Sequence, residues 1–444
     1  MKITVIGLGY VGLTTALCLT RCGHQVIGAD ISSEKIMALN AGELPIWEPQ
    51  LDELLDQARD QEAIRFTTDI AAAVSEGEIL FICVGTPAGE NGRPDLSQLR
   101  SLIKPIAWHA KEGAVVVIKS TVPIGTTDTV EKGLYLLSGG KSWDIVHNPE
   151  FLRQGKAVTD FLHPDRIVVG TRSSVAASRM RELYRAIDAP FITCDPRSAE
   201  IIKYAANGFL AMKISYANMM AQLSESWGAD IEAVIKGVGS DRRITPSHLQ
   251  PGVGFGGSCF PKDTEALLAM GRDADCPMPL VEALQEINRL QPQRVLDKLE
   301  QELGSLQGKR IGLLGLTFKP DSDDLREAPS LAISRLARQR GAVLQAYDPL
   351  VRDYPVAEVK LVTDPHVLLE TCDGIILVTE WEEFRKLSWR RLHSRLHPLV
   401  LVDGRNLFSL EEMQRIAEET GLVYLSVGRP PVRRKERKSL MYSV

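Results

Sequence analysis

Residues 2–12 read KITVIGLGYVG. After Lys2 come four β-branched residues, the signature of a short strand. Glycines 7, 9 and 12 follow as GxGxxG, and a helical pattern then runs through about Cys22. Strand, glycines and helix in that order give each glycine its own task. Gly7 permits the tight turn, Gly9 lets a pyrophosphate reach the backbone, and Gly12 lets the helix pack on the strand. The helix N-terminus adds unsatisfied N–H groups and a partial positive charge, so Gly7, Gly9, Tyr10, Val11 and Gly12 are the expected phosphate seat.

Working outward, a second strand, HQVIGAD, ends at Asp30, about the distance at which a carboxylate accepts from both ribose hydroxyls. It would repel a 2′-phosphate, which favours NAD over NADP. Further strands are expected near residues 79–84, 114–119 and 166–170, alternating with helices, the pattern of a doubly wound parallel sheet. Ligands of such sheets sit at the carboxyl ends of strands. GTP (85–87) and STVP (120–123) begin there, so Thr86 and Thr121 either face the nicotinamide half of the cofactor or are ordinary loop punctuation. Glu150, in HNPEFLRQGKA, is either a loop base or surface decoration.

From about Ala199 a long helix is expected. Lys203 and Asn207, four apart, share one face of it. They read as a paired ammonium and amide aimed at one oxygen, or as a solvated Lys beside a polar Asn. The Met-rich 212–220 stretch suits packing at a subunit interface. Residues 252–263, GVGFGGSCFPKD, follow. Four glycines in six positions let the backbone approach a ligand closely. Cys259 then stands three and four residues before Lys262 and Asp263, and one helical turn puts all three on one side. The cation would favour a thiolate and the carboxylate oppose it. A Gly-rich hinge with an inert buried Cys is the alternative.

At 308–329 the pattern restarts with a strand and glycines 312 and 315, then strands ending at Asp348 and within 373–381 and 398–406. This second Rossmann-like half lacks the full GxGxxG, so no second dinucleotide is expected. Its loop cations Lys319, Arg326 and Arg405 suit another phosphate-bearing ligand. The tail RPPVRRKERK, from Arg429, reads as a solvated basic segment.

With 444 residues, 44% of them hydrophobic, the chain can build two or three cores, and a net charge of −5 points to no nucleic-acid or membrane partner. Seven scattered cysteines without a CxxC pair fit neither a disulfide framework nor a metal site, and suggest a reduced, cytoplasmic protein. The N-terminus reads as a strand, not a signal peptide, and no run is long enough to span a membrane.

Eight ordered motifs resemble the UDP-glucose/GDP-mannose dehydrogenase family, over about residues 1–427. They are GLGYVG (7–12), VGTP (84–87), STVPIGT (120–126), NPEFL (148–152), AEIIKYAAN (199–207), GFGGSCFPKD (254–263), GLTFKPDSDDLRE (315–327) and DGRN (403–406). The likeness is nearest to members that oxidise UDP-glucose, with dehydrogenases of GDP-mannose or UDP-N-acetylhexosamines as the close alternative. It implies two Rossmann-like parallel-sheet domains joined by a long central helix: an NAD domain (1–196), a dimerising helical domain with the Cys loop (197–296), a UDP-sugar domain (297–427) and a basic tail (428–444). It also implies four-electron oxidation of UDP-glucose to UDP-glucuronate with two NAD, by a homodimer. By motif, Cys259 is the nucleophile, Lys203 and Asn207 stabilise oxygen at sugar C6, Asp263 positions or activates water, and Thr121 and Glu150 assist proton movement. Asp30, Lys35, Thr86, Thr121, Gln154, Lys262 and Arg326 join the glycine turn as cofactor contacts. The substrate contacts implied are Glu150, Phe151, Leu152, Arg153, Gln154, Lys203, Asn207, His248, Leu249, Gln250, Pro251, Gly252, Gly256, Lys319 and Arg405, with Arg243 supplied by the neighbouring subunit. Two departures stand out: Gln154 and Met219, where relatives often carry Glu.

Overall fold

The computed structural model describes residues 1–435, and the chain in it divides into two units. One comprises 1–207 with 265–277; the other comprises 208–264 and the chain from 278 onward.

The first unit is built on an eight-stranded sheet. In chain order its strands are β1 (Lys2–Ile6), β2 (Gln25–Ala29), β3 (Ile64–Thr67), β4 (Ile79–Ile82), β5 (Val115–Ile118), β6 (Asp144–His147), β7 (Ile167–Gly170) and β8 (Phe191–Cys194). They lie in the order β3-β2-β1-β4-β5-β6-β7-β8, and the first six are parallel. The strand order therefore reverses between β1 and β4, which opens a crevice at their carboxyl ends. β7 meets β6 antiparallel, through His147 and Gly170, before β8 resumes parallel to β7. The central strands β4 (ILFI) and β5 (VVVI) are buried throughout, as strands with helices on both faces must be.

The second unit repeats the plan with six parallel strands: β9 (Arg310–Leu314), β10 (Val343–Tyr347), β11 (Val359–Leu361), β12 (Gly374–Leu377), β13 (Val400–Asp403) and β14 (Val423–Ser426). Their order, β11-β10-β9-β12-β13-β14, reproduces that of β1 to β6. This half is complete in topology, although its glycine motif is not. The strands left unread in the sequence are β3, β6, β8, β11 and β14. Each has three or four residues, several of them polar or half-exposed, so neither alternation nor an unbroken apolar run marks them.

The long helix is Pro196–Trp227, 32 residues, starting three positions before the expected Ala199. The start of the basic tail departs from expectation. Arg429 is buried, donating to Phe408 O, Ser426 Oγ and the Tyr424 hydroxyl and pairing with Glu232. Arg433 pairs with Glu302. A buried guanidinium is stable only when its donors are met, and here the chain meets them. The rest of the tail, from Glu436, lies outside the described residues.

Candidate active site

In the first unit the three glycines behave as their spacing implies. Gly7 has φ +92°, and a Cβ there would lie 2.9 Å from the backbone of Cys83 and Val84. A Cβ on Gly12 would sit 1.7 Å from Gly7 O, whereas one on Gly9 would meet nothing within 4 Å. The open side of the turn is thus at Gly9, which is also the N-cap of the helix Tyr10–Arg21. That helix has no side-chain cap and no acidic residue in its first turn. A helix start without a side-chain cap, beside open space at Gly9, suits a pyrophosphate. Asp30, at the end of β2, is buried, with one oxygen accepting from Leu8 N (2.7 Å) and the other from Ser32 N (2.9 Å). The oxygen that accepts from Ser32 keeps a lone pair for a ribose hydroxyl. Lys35 Nζ stands 3.5 Å from the same carboxylate. Together these residues fit NAD.

At the neighbouring strand ends, Thr86 Oγ1 donates to Thr121 O at 2.8 Å and Ser120 Oγ donates to Val84 O at 2.6 Å. The GTP and STVP loops are therefore tied to each other. Glu150 and Lys203 are both buried and form an ion pair at 2.9 Å, which overturns their bland readings as surface decoration and solvated Lys. Asn207 is buried one turn further along the same helix. The other Glu150 oxygen accepts from Leu152 N at 2.6 Å, so the carboxylate also shapes its own loop. Burial raises the Glu150 pKa, but the Lys203 ammonium and the Leu152 N–H outweigh it and hold the carboxyl below its ordinary value. Lys203 Nζ lies 5.4 Å from the centre of the Phe151 ring. Further round the loop, Arg153 is held by Asp160 through its backbone N–H and its guanidinium. Gln154 is half-buried in the same loop.

Sequence reasoning missed a second buried lysine here. Lys119 donates to Asn148 Oδ1 at 3.2 Å; that oxygen also accepts from the Tyr184 hydroxyl at 2.6 Å. Burial pushes the Lys119 pKa down to about 8. Burial and the nearby Lys119 push His147 down to about 3.

In the second unit Cys259 is an exposed thiol immediately before the helix Phe260–Asp273, and Asp263 N donates to Cys259 O at 2.8 Å. This is the helical turn expected of Cys259, Lys262 and Asp263. Lys262 and the buried Asp263 form an ion pair in the first turn of that helix.

The glycines before Cys259 lie close against other parts of the chain. A Cβ on Gly252 would meet Gly404 O at 2.7 Å, on Gly254 the Asn288 side chain at 2.8 Å, on Gly256 Glu327 O at 2.1 Å, and on Gly257 the Phe318 ring at 2.8 Å. Their missing side chains make room for the protein's own chain. Two helix-borne amides complete the seat. Asn218 accepts from Gly252 N at 2.7 Å, and Asn288 exchanges bonds with Phe255 N (2.8 Å) and Phe255 O (3.0 Å). Asn in a helix interior is locally unfavourable, and that was the available signal.

Arg405 has a similar structural duty, donating to Val378 O (2.8 Å), Gly254 O (3.2 Å) and Phe318 O (3.3 Å). Lys319 Nζ lies 5.5 Å from the Phe318 ring centre, and Arg326 is bidentate to Asp324. Arg243 is largely exposed and pairs with Asp241. His248 adopts φ +62° and bonds Ser247 Oγ at 2.8 Å. Leu249 and Pro251 are buried and Gln250 is exposed.

The turn that would mirror the dinucleotide seat is closed in this unit. Asp348, at the end of β10, accepts from Leu316 N (2.7 Å), Trp381 Nε1 (3.2 Å), Leu350 N (2.9 Å) and Val351 N (3.2 Å). The helix after β9 starts only at Pro329, so no helix N-terminus stands at the strand end.

No group of three or more His, Cys, Asp or Glu among the described residues is placed to hold a metal, and no described helix is long and apolar enough to cross a membrane.

The chain matches all three models of the UDP-glucose/GDP-mannose dehydrogenase family: the NAD binding domain over residues 1–188, the central domain over 197–290 and the UDP binding domain over 312–410. It is 42% identical to the UDP-glucose 6-dehydrogenase TuaD of Bacillus subtilis, covering 98% of this chain and 95% of that one. A solved UDP-glucose dehydrogenase from Pyrobaculum islandicum superposes with a TM-score of 0.90 at 37% identity, covering 97% of this chain and 98% of that one. A UDP-D-ManNAc dehydrogenase from Pyrococcus horikoshii gives 0.86 at 29% identity, with 97% and 99% covered.

Proposed function

Because the chain belongs to the UDP-glucose/GDP-mannose dehydrogenase family, and is therefore an NAD-dependent oxidoreductase, we propose that it oxidises UDP-glucose to UDP-glucuronate in two steps on Cys259. The observation that carries the mechanism is an exposed thiol at the head of a helix whose first turn holds the Lys262–Asp263 pair. The names of its relatives support the sugar.

Bound NAD supplies the hydride acceptor, seated by the Gly7–Gly12 turn and Asp30, with Lys35, Thr86, Thr121, Gln154, Lys262 and Arg326 as further contacts. In the first oxidation the C6 hydroxyl loses its proton to a base and C6 loses a hydride, giving an aldehyde. The Cys259 thiolate then adds to that carbon. The thiohemiacetal loses a second hydride to a second NAD and becomes a thioester, which water cleaves to the carboxylate and the free thiol. Negative charge develops on the C6 oxygen at each tetrahedral stage. Lys203 and Asn207, already desolvated, are the donors proposed for it, at a few kcal/mol each by analogy with other oxyanion holes. Glu150 keeps Lys203 protonated and oriented, while Asp263, Thr121 and Glu150 handle protons.

The uridine diphosphate falls to the segment 315–327 with Lys319 and Arg405, and to residues 248–252 with Gly256. The division into an NAD domain (1–196), a central domain (197–296) and a sugar-nucleotide domain (297–427) is part of this proposal. So is a homodimer with Arg243 lent to the neighbour. It is supported by an exposed stripe on the long helix, Phe209, Tyr216, Leu223 and Trp227, spaced at seven, seven and four residues; a monomer in sedimentation analysis at micromolar concentration would exclude it. A reducing cytoplasm suits seven unbridged thiols.

Two NADH per UDP-glucose, with no aldehyde released, is the expected stoichiometry; one NADH with free aldehyde rules out the thioester. Cys259→Ser should abolish steady turnover, and unchanged activity removes the nucleophile. The Pyrococcus neighbour favours an N-acetylated UDP-hexosamine as second reading, which a panel of nucleotide sugars decides.

A further inference from the structure

The segment 240–252 of the second unit holds two non-glycine residues in the left-handed region, Thr245 (φ +61°) and His248 (φ +62°). For Thr this is costly, because its branched Cβ crowds the following carbonyl. Such strain persists only where neighbouring groups over-determine it. Here the neighbour is Lys213, buried on the long helix. Its ammonium donates to Ile244 O (3.0 Å), Thr245 O (3.2 Å) and Thr245 Oγ1 (3.4 Å). Among the described residues no carboxylate pairs with it. A buried ammonium has three N–H donors to satisfy, and all three are directed at this one turn.

Five residues along the same helix, Asn218 Oδ1 accepts from Gly252 N at 2.7 Å. The helix therefore grips the segment at both ends, at 244–245 and at 252, and His248 to Pro251 are suspended between the two grips. Arg243 immediately precedes the first. A segment that served only as a connection would relax to ordinary dihedrals and leave an apolar residue at 213.

We propose that Lys213 is a positioning residue for sugar-nucleotide recognition: it holds Thr245 left-handed, and so sets the direction in which Arg243 and His248 to Gly252 are presented. This rests on the assignment of those residues to the sugar nucleotide. Lys213 itself touches neither substrate nor cofactor in this role.

The test is a double-mutant cycle in the full-length protein with UDP-glucose and NAD. Lys213→Met is expected to raise the KM for UDP-glucose about tenfold or more, with kcat and the KM for NAD changed less than about threefold, and Lys213→Arg to restore most of the loss. Thr245→Gly accepts a positive φ without strain. In its background the same Lys213→Met change should therefore cost less than about threefold in KM. An undiminished penalty in the glycine background overturns the proposal, as does an NAD effect of the same size or a lowered Tm with KM unchanged. If the unaltered protein does not turn over UDP-glucose, the substrate assignment fails; the cycle is then read by calorimetric binding of UDP, where equal affinities in all four proteins overturn the role of Lys213.

Discussion

Replacing Glu150 by Gln removes the anion of a pair whose two members are both almost fully buried. Lys203 would keep its charge with a neutral amide in front of it and Lys119 still in the same interior. Removing one partner of a buried pair costs about 3–5 kcal/mol, since the remaining charge has lost both water and counter-ion. For a unit of roughly two hundred residues, each kcal/mol moves the Tm by about 2–4 °C, so Glu150→Gln should lower it by roughly 6–20 °C. Adding Lys203→Met removes the stranded cation, and the double variant should recover about 2 kcal/mol relative to the sum of the single changes. The pH dependence has a definite sign. The folded carboxyl titrates below its unfolded value, so its contribution is complete above about pH 4.3 and is lost as the pH falls through the folded pKa. Below that pH the gap between the parent protein and Glu150→Gln should close. Scanning calorimetry at pH 7 and at a series of values descending from about pH 4.5 measures all of this. A loss under about 1 kcal/mol at neutral pH, or strict additivity of the two changes, would refute the buried-pair reasoning.

Other consequences follow from single contacts. Gly256→Ala would put a methyl 2.1 Å from Glu327 O, a backbone atom that cannot swing aside, so a loss of about 1–3 kcal/mol is expected on chemical denaturation; a neutral result would mean that the two segments part easily. Asp30→Asn removes the charge that excludes a 2′-phosphate, so NAD affinity should fall about tenfold while the preference over NADP narrows, as titration by nicotinamide fluorescence would show. Unaltered discrimination would place the ribose elsewhere.

The cofactor half of the site was legible because its chemistry is local. Three glycines, a helix start and Asp30 lie within thirty residues, and backbone sterics dictate what each must do. The Cys259 turn was legible for the same reason. The burial of Lys203 and Glu150 was not, and Lys119 went unnoticed, because neither spacing on a helix nor position in a loop says whether tertiary packing will bury a charge. The packing of the loop glycines was not legible: sequence shows that a Cβ is missing but not what occupies its place, and Glu327, Phe318 and Gly404 come from far along the chain. Arg429 was misread by its company, since the basic residues around it imply solvent while its own side chain finds four partners. The short strands β3, β8 and β11 lack the unbroken buried apolar run that marks the equally short β4 and β5.

The closure of Asp348 by Trp381, Leu316 and their neighbours bears on the order of events in turnover. With the groups around Asp348 turned to one another, the Gly7–Gly12 turn is the dinucleotide seat found among the described residues, yet the proposed reaction delivers two hydrides. The spent nicotinamide must depart and a fresh one dock while the half-oxidised sugar is still tethered to sulfur. The carbon–sulfur bond therefore has to outlast the dwell time of NADH, and an enzyme that released its first NADH too slowly would stall with its thiol occupied.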